Sequence, residues 1–233
     1  MVDLYICCCK RSKMACSGNH KPSKQARAKL DSFVVALTKK GIKLLALDFD
    51  KTIIDIHSGG MWNEGVDKLA SHVRPCMRDL MEVASHKGLF VAIVTFHRQE
   101  WIIKEVLLKV LPKKVAKKIY IQANTIDFMQ KQRTSSVGTS EPCNAAVSTS
   151  ATSPSTVVRV FMPELNGKQA HIEAVIAAIH RDYNVTLKKN EIILMDDDIN
   201  NVRIASCHGH YAFQVQQNVD YNSFESFETM LLL

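Results

Sequence analysis

Two aspartates separated by one residue, Asp48 and Asp50, follow an apolar run, Leu44-Leu45-Ala46-Leu47, that predicts a buried strand. Two carboxylates this close repel each other, and a neighbouring core disfavours their charged forms. Catalysis can use such a pair, because one carboxylate can attack while the other moves a proton, and a divalent cation can neutralise the site. The spacing favours a reaction centre; the alternative is a solvated acidic turn in which Thr52 caps the next segment.

Polar residues also stand at the ends of other predicted strands. Strands are predicted at 42–48, 89–94, 118–121, 192–195 and 210–215, with a strand-like return at 156–161. Helices are predicted at about 23–40, 65–73, 75–87, 98–111, from 166 onward and at 198–206, with a loop or small hairpin over 53–65. Continuous apolar strands alternating with helices predict an α/β fold, a Rossmann-like three-layer sandwich with a central parallel sheet. Because ligands bind at the carboxyl ends of such strands, we expect Asp48, Thr95 and Asp196 to converge on one edge.

The length of 233 residues allows one sizeable core that needs neither disulfides nor a structural metal. Residues 1–22 are expected to form a mobile tail and residues 23–233 one domain. Within that domain, Ser, Thr and Ala dominate residues 134–156 without periodicity, which predicts a disordered insertion.

The composition limits the partners of the chain. No apolar run approaches the ~20 residues needed to span a bilayer, so we expect a soluble, cytoplasmic protein with no membrane span. The net charge of +7 suits an anionic substrate. The Lys and Arg clusters lack interleaved aromatic residues, so the pattern leaves nucleic-acid binding open without favouring it.

Four of the seven cysteines lie close together near the N-terminus, with a histidine nearby: Cys7, Cys8, Cys9, Cys16 and His20. A reduced, mobile tail is the favoured interpretation, and zinc binding and palmitoylation are the alternatives. Cys76 and Cys207 lie within apolar patterns and are expected in the core.

These residues resemble the four motifs of the haloacid dehalogenase superfamily of phosphatases and phosphotransferases. The matches are Asp48, Asp50 and Thr52 (first motif), Thr95 (second), Lys168 at a helix start (third) and Asp196-Asp197 (fourth). The stretch 196–202 also resembles the Asp-Asp-x-x-x-Asn pattern of the magnesium-dependent phosphatase branch. The resemblance spans about 42–215 and implies hydrolysis of a phosphomonoester through an aspartyl-phosphate.

The resemblance also implies roles for the individual residues. Asp48 would attack phosphorus, and Asp50 would protonate the leaving oxygen and then deprotonate the hydrolytic water. Thr95 and Lys168 would hold the phosphoryl oxygens, with Thr52 as a supporting residue. A strand end at Thr95 and a solvated helix start at Lys168 are the simpler alternatives.

Mg²⁺ is the implied cofactor, because proteins hold it with few carboxylates plus water and substrate phosphate. The matching ligands are Asp48, the backbone carbonyl of Asp50 and Asp196, with Asp197 as a supporting carboxylate. The choice between Asp196 and Asp197 as direct ligand stays open. Asp197 and Asp198 are also candidates for a helix N-cap.

Four other residues bear on the same region. His97 and Arg98 follow Thr95 and either reach the substrate or form a surface loop. His57 and His171 are expected to face solvent.

The segments between the motifs leave no room for a large folded cap domain, so the site is expected to be open. An open site admits a phosphorylated small molecule, a phosphoprotein or a nucleic-acid end. The alternative function is a non-catalytic member of the superfamily that uses the fold for binding or as a scaffold. The acidic pair argues against that alternative, since a binding module gains nothing from the repulsion between two carboxylates.

Overall fold

The computed structural model describes residues 23–135 and 167–232. The expected tail at 1–22 and the strand-like return at 156–161 lie outside the described residues, as does most of the insertion expected at 134–156. Residues 134 and 135 are the last two residues of a helix.

The strands are β1 (Leu44–Leu47), β2 (Phe90–Val94), β3 (Tyr120–Gln122), β4 (Ile192–Asp196) and β5 (Tyr211–Gln214). The helices are α1 (Lys24–Lys39), α2 (Val66–Ser71), α3 (Pro75–His86), α4 (Glu100–Val110), α5 (Lys113–Ala116), α6 (Ile126–Ser135), α7 (Gln169–Tyr183), α8 (Ile199–Cys207) and α9 (Ser223–Leu232). The strands form one parallel sheet in the order β3-β2-β1-β4-β5. The expected α/β class with a central parallel sheet is confirmed.

Helices cover both faces of this sheet, because successive side chains of each strand point to opposite faces. Leu45 and Leu47 of β1 belong to one core cluster, which includes side chains of α1, α3, α4 and α9. Leu44 and Ala46 belong to a second cluster, which includes side chains of α7 and α8. The fold is therefore an α/β sandwich of three layers.

Helix α1 begins where the sequence predicts it, because the Oγ of Ser23 accepts a hydrogen bond from the backbone N–H of Ala26 at 3.1 Å. It packs against α9, where the ring of Phe33 lies 5.5 Å from that of Phe224 and 6.1 Å from that of Phe227, measured between centroids. Helix α9 was not predicted, although Phe224, Phe227 and Leu231 are spaced as one face of a helix and are buried.

Other boundaries also differ from expectation. Strand β3 starts at Tyr120, two residues later than predicted, because residues 117–118 form a turn after α5. Helix α6 was missed; its start is marked by the Thr125 hydroxyl, which accepts a hydrogen bond from the N–H of Phe128 at 3.2 Å. Cys76 is buried as expected, whereas Cys207 is exposed at the end of α8.

Three strands of the sheet position the predicted site. The carboxyl ends of β1, β2 and β4 are neighbours, since β1 pairs with β2 on one side and with β4 on the other. Between residues 50 and 95 the chain forms the short α2 and the longer α3, which contribute Leu69, Met77 and Leu80 to the core. No helix among the described ranges is long and apolar enough to cross a bilayer.

Candidate functional site

A cavity of 650 Å³ opens at the carboxyl edge of the sheet. Six of the seven predicted site residues line it: Asp48, Asp50, Thr95, Lys168, Asp196 and Asp197. The seventh, Thr52, is fully buried, and its hydroxyl has no hydrogen-bond partner among the described residues. The structure thus brings together side chains from three strand ends and from the start of α7.

A buried ion pair joins the first and third predicted motifs. The Nζ of Lys168 donates a hydrogen bond to Oδ1 of Asp48 at 2.7 Å, and the two side chains are only 2% and 7% exposed. The same ammonium lies 3.9 Å from the ring centroid of Phe96. Burial raises the pKa of the Asp48 carboxyl, although the positive charge of Lys168 opposes that rise.

Gly167, directly before Lys168, lies close to α8. Gly167 has a φ of +52°, in the left-handed region that favours glycine. A Cβ at this position would lie 3.2 Å from Oδ1 of Asn201 and from Cδ1 of Ile204. A side chain at residue 167 would therefore require Asn201 and Ile204 to shift by a few tenths of an ångström, in addition to the strained φ.

Asp50 lies in a tight turn that reverses the chain after β1. Lys51 has a φ of +56°, which non-glycine residues rarely adopt, and its N–H donates to the carbonyl of Ile56 at 2.9 Å. This reversal returns residues 57 and 58 to the aspartate.

The carboxylate of Asp50 is held on one side only. Its Oδ2 accepts hydrogen bonds from Nδ1 of His57 at 2.8 Å, from the Ser58 hydroxyl at 2.8 Å and from the Ser58 N–H at 3.1 Å. Its Oδ1 is buried and has no partner among the described residues. The His57 side chain is exposed as expected, but the sequence analysis missed its contact with Asp50.

Thr95 keeps its hydroxyl hydrogen available for a ligand. Its Oγ1 accepts the backbone N–H of His97 at 3.2 Å, and its O–H donates to no acceptor among the described residues. His97 is itself buried, and its Nδ1 accepts the N–H of Gln99 at 3.1 Å. A neutral His97 therefore carries its hydrogen on Nε2, and burial lowers the pKa of this ring and so favours that neutral form.

An acidic cluster lies beside the ion pair. One carboxylate oxygen from each of Asp48, Asp196 and Asp197 falls within 4.8 Å of the others, so the three residues together could hold a metal ion. Burial raises the pKa of Asp196 to about 7, with the negative charge of Asp48 adding to the shift. Burial, again helped by Asp48, also raises the pKa of Asp197.

Asp196 is oriented by its neighbours in the fourth motif. Nδ2 of Asn201 donates to both carboxylate oxygens at 3.1 and 3.0 Å, and the N–H of Asp198 donates to Oδ1 at 2.9 Å. The N-cap of α8 is Asp198, whose Oδ1 accepts the N–H of Asn200 at 2.9 Å. Asp197 is thus left to the acidic cluster and does not cap the helix.

His171 does not face solvent, contrary to expectation. It is one of the buried side chains of α7 and packs between Phe96 and Phe128, with ring centroids 5.3 and 4.7 Å away. Neither ring nitrogen has a hydrogen-bond partner among the described residues. Burial, with a smaller effect from the charge of Lys168, lowers the pKa of His171 to about 3.

Compared with known proteins, the chain matches no family model and no curated protein.

Proposed function

We propose that the chain is a Mg²⁺-dependent phosphomonoester hydrolase of the haloacid dehalogenase type, acting through an aspartyl-phosphate. The observation that carries the proposal is the convergence of Asp48, Asp50, Thr95, Lys168 and Asp196 on one cavity. These residues come from four separate segments of the chain, and each has a chemical group that phosphoryl transfer requires. A fold has little reason to collect three carboxylates and a buried ammonium at one edge unless the charges act on a ligand.

Asp48 is the proposed nucleophile. Its carboxylate would form a bond to phosphorus while the bond between phosphorus and the ester oxygen breaks. Lys168, which already donates to Asp48 at 2.7 Å, would stabilise the phosphoryl oxygens as their charge changes. The free O–H of Thr95 would donate to another of these oxygens.

Asp50 is the proposed general acid and base. It would give a proton to the leaving ester oxygen in the first step. In the second step it would take a proton from the water that attacks the aspartyl-phosphate, which releases inorganic phosphate and restores Asp48. Asp50 lines the cavity in which the ester would bind.

The acidic cluster fits Mg²⁺. Three carboxylates lie together with one buried ammonium nearby, and burial raises the pKa of each, so a divalent cation would relieve a real excess of negative charge. Asp48 and Asp196 would hold the ion with the Asp50 carbonyl, and Asp197 would support it. When bound, Mg²⁺ supplies charge neutralisation to the phosphoryl group.

Turnover of an aryl phosphate with EDTA and with Mg²⁺ is the direct test. We expect hydrolysis only with Mg²⁺, and loss of turnover in Asp48→Asn. Asp67→Asn is the control, because this exposed aspartate lies outside the cavity. Full activity without metal would exclude the proposed cofactor, and normal turnover by Asp48→Asn would exclude the covalent mechanism. Binding of a phosphate ester without turnover would support the alternative, a non-catalytic binding protein.

Substrate class is the next question for an active enzyme. Assays with a panel of phosphorylated small molecules and phosphopeptides would distinguish a small-molecule phosphatase from a phosphoprotein phosphatase. Phosphorylated nucleic-acid ends belong in the same panel, since the positive net charge of +7 leaves them open.

A further inference from the structure

We propose that His57 and Ser58 are positioning residues that fix the orientation of the Asp50 carboxylate for proton exchange with the substrate. This inference rests on the proposed phosphatase function and adds to it two residues that none of the four motifs includes. The observation behind it is that Oδ2 of Asp50 has three hydrogen-bond donors, whereas Oδ1 is buried and has none among the described residues.

The three donors make the two carboxylate oxygens chemically different. The hydrogen-bond groups at Oδ2 are an imidazole, a hydroxyl and a backbone N–H, and each can donate to it. Because all three donors converge on one oxygen, the carboxylate can rotate only if these hydrogen bonds break. The three contacts therefore hold the Asp50 carboxylate in one orientation at the cavity.

The local backbone supports the same arrangement. The Ser58 hydroxyl also accepts the N–H of Gly60 at 3.2 Å, and the Gly60 carbonyl accepts the N–H of Arg98 at 2.9 Å. These contacts tie the loop after β1 to the loop after β2, and both loops line the cavity. Asp50 is thus oriented by a braced loop and not by a freely moving side chain.

His57 can be tested without unfolding the protein. Its side chain is 64% exposed, and exposed pairs of this kind contribute little to stability. His57→Leu removes the donor, whereas His57→Asn places an amide N–H close to the position of Nδ1. Ser58→Ala removes the hydroxyl and keeps the backbone donor.

The chain also offers a matched control. Nδ1 of His72 lies 2.8 Å from Oδ1 of Asp55, the same distance as in the His57–Asp50 pair, but neither residue lines the cavity. His72→Leu therefore breaks a similar pair away from the proposed chemistry.

The experiment compares two esters, an alkyl phosphate whose leaving oxygen needs a proton and p-nitrophenyl phosphate whose leaving group does not. His57→Leu should lower kcat/KM for the alkyl ester by about 10–100-fold, a part of what general acid catalysis supplies, and leave kcat/KM for the aryl ester within about threefold. The kcat for the aryl ester should fall, because hydrolysis of the aspartyl-phosphate then depends on a poorly oriented base. His57→Asn should restore most of the loss, Ser58→Ala should show the same selectivity more weakly, and His72→Leu should change neither rate.

Each other outcome has a definite meaning. An equal loss on both esters, or a parallel fall in Tm, would make His57 a structural residue and overturn the inference. Unchanged rates in both His57→Leu and Ser58→Ala would overturn it too, while the phosphatase function would stand. Absence of turnover in the wild-type protein with Mg²⁺ would remove the proposed function and this inference together.

Discussion

Replacing Lys168 by methionine would remove the ammonium from the cavity and keep most of the length of the side chain. The loss of stability can be judged from the structure, because the side chains of Lys168 and Asp48 are almost fully buried and Nζ of Lys168 lies 2.7 Å from Oδ1 of Asp48. Removing one partner of a buried ion pair usually destabilises a protein by about 3–5 kcal/mol. We expect the lower end, about 3 kcal/mol, because the high pKa of the Asp48 carboxyl lets it take up a proton once it is alone.

Thermal unfolding in metal-free buffer is the assay. For a chain of this size, 1 kcal/mol corresponds to about 2–4 °C in Tm, so Lys168→Met should lower the Tm by about 6–12 °C. Saturating Mg²⁺ should restore more stability to this variant than to the wild type, because Asp48 and Asp196 have lost the positive charge of Lys168. The kcat/KM for an aryl phosphate should fall by about 10²–10³-fold, as when one transition-state donor is removed.

Lys43→Met is the matched control. Nζ of Lys43 also lies 2.7 Å from a carboxylate oxygen, that of Glu191, but the lysine side chain is 51% exposed. Such a surface pair is worth at most about 1 kcal/mol, so the Tm should fall by less than about 4 °C. If the two variants lose equal stability, or if Lys168→Met loses less than the control, burial does not set the strength of the pair and the reasoning is wrong.

Three further predictions concern single side chains of the cavity and its surroundings. Asp50→Asn should slow turnover by about 10²–10⁴-fold while phosphate accumulates on Asp48, as mass spectrometry after brief incubation would detect; an unphosphorylated Asp48 would contradict it. Thr95→Val should raise KM for a phosphate ester by about tenfold, because the hydroxyl donor is lost, and should lower the free energy of unfolding by about 1 kcal/mol, because the N–H of His97 loses its acceptor. Thr95→Ser should restore both KM and Tm, and failure to do so would contradict the prediction. His171 has a lowered pKa of about 3, so the unfolded chain binds a proton at this residue first, and its contribution to stability is lost as pH drops below about 6.5. Urea titrations of both proteins should show that the wild type loses up to about 3 kcal/mol more between pH 6.5 and 4 than His171→Phe does, and equal pH dependence would contradict the prediction.

The sequence predicts those parts of the site that depend on strand ends. Continuous apolar runs identify β1, β2 and β4, and in a parallel sheet their carboxyl ends share one edge, so Asp48, Thr95 and Asp196 were expected to meet. The stretch at 196–202 also contains Asn201, which donates to Asp196 although the sequence analysis gave it no role.

The contacts made by loops could not be predicted in this way. The meeting of His57 with Asp50 depends on the left-handed conformation of Lys51, and lysine carries no sequence signal for that conformation. The burial of His171 depends on which face of α7 meets the sheet, and a polar residue beside an apolar stripe does not settle that face. Helix α9, in contrast, could have been predicted, because its buried apolar residues recur at helical spacing in the sequence.

The position of β1 in the centre of the sheet has a consequence for how the protein folds. The contact between Lys168 and Asp48 spans 120 residues of chain, and one edge of β1 pairs only with β4. During synthesis from the N-terminus that edge stays open until residues near 195 emerge, which exposes an apolar strand to wrong partners. Contacts of such long range also form slowly, because the intervening chain must be closed first. The cavity therefore exists only in the completed sheet, and any ligand that binds there draws the folding equilibrium towards it.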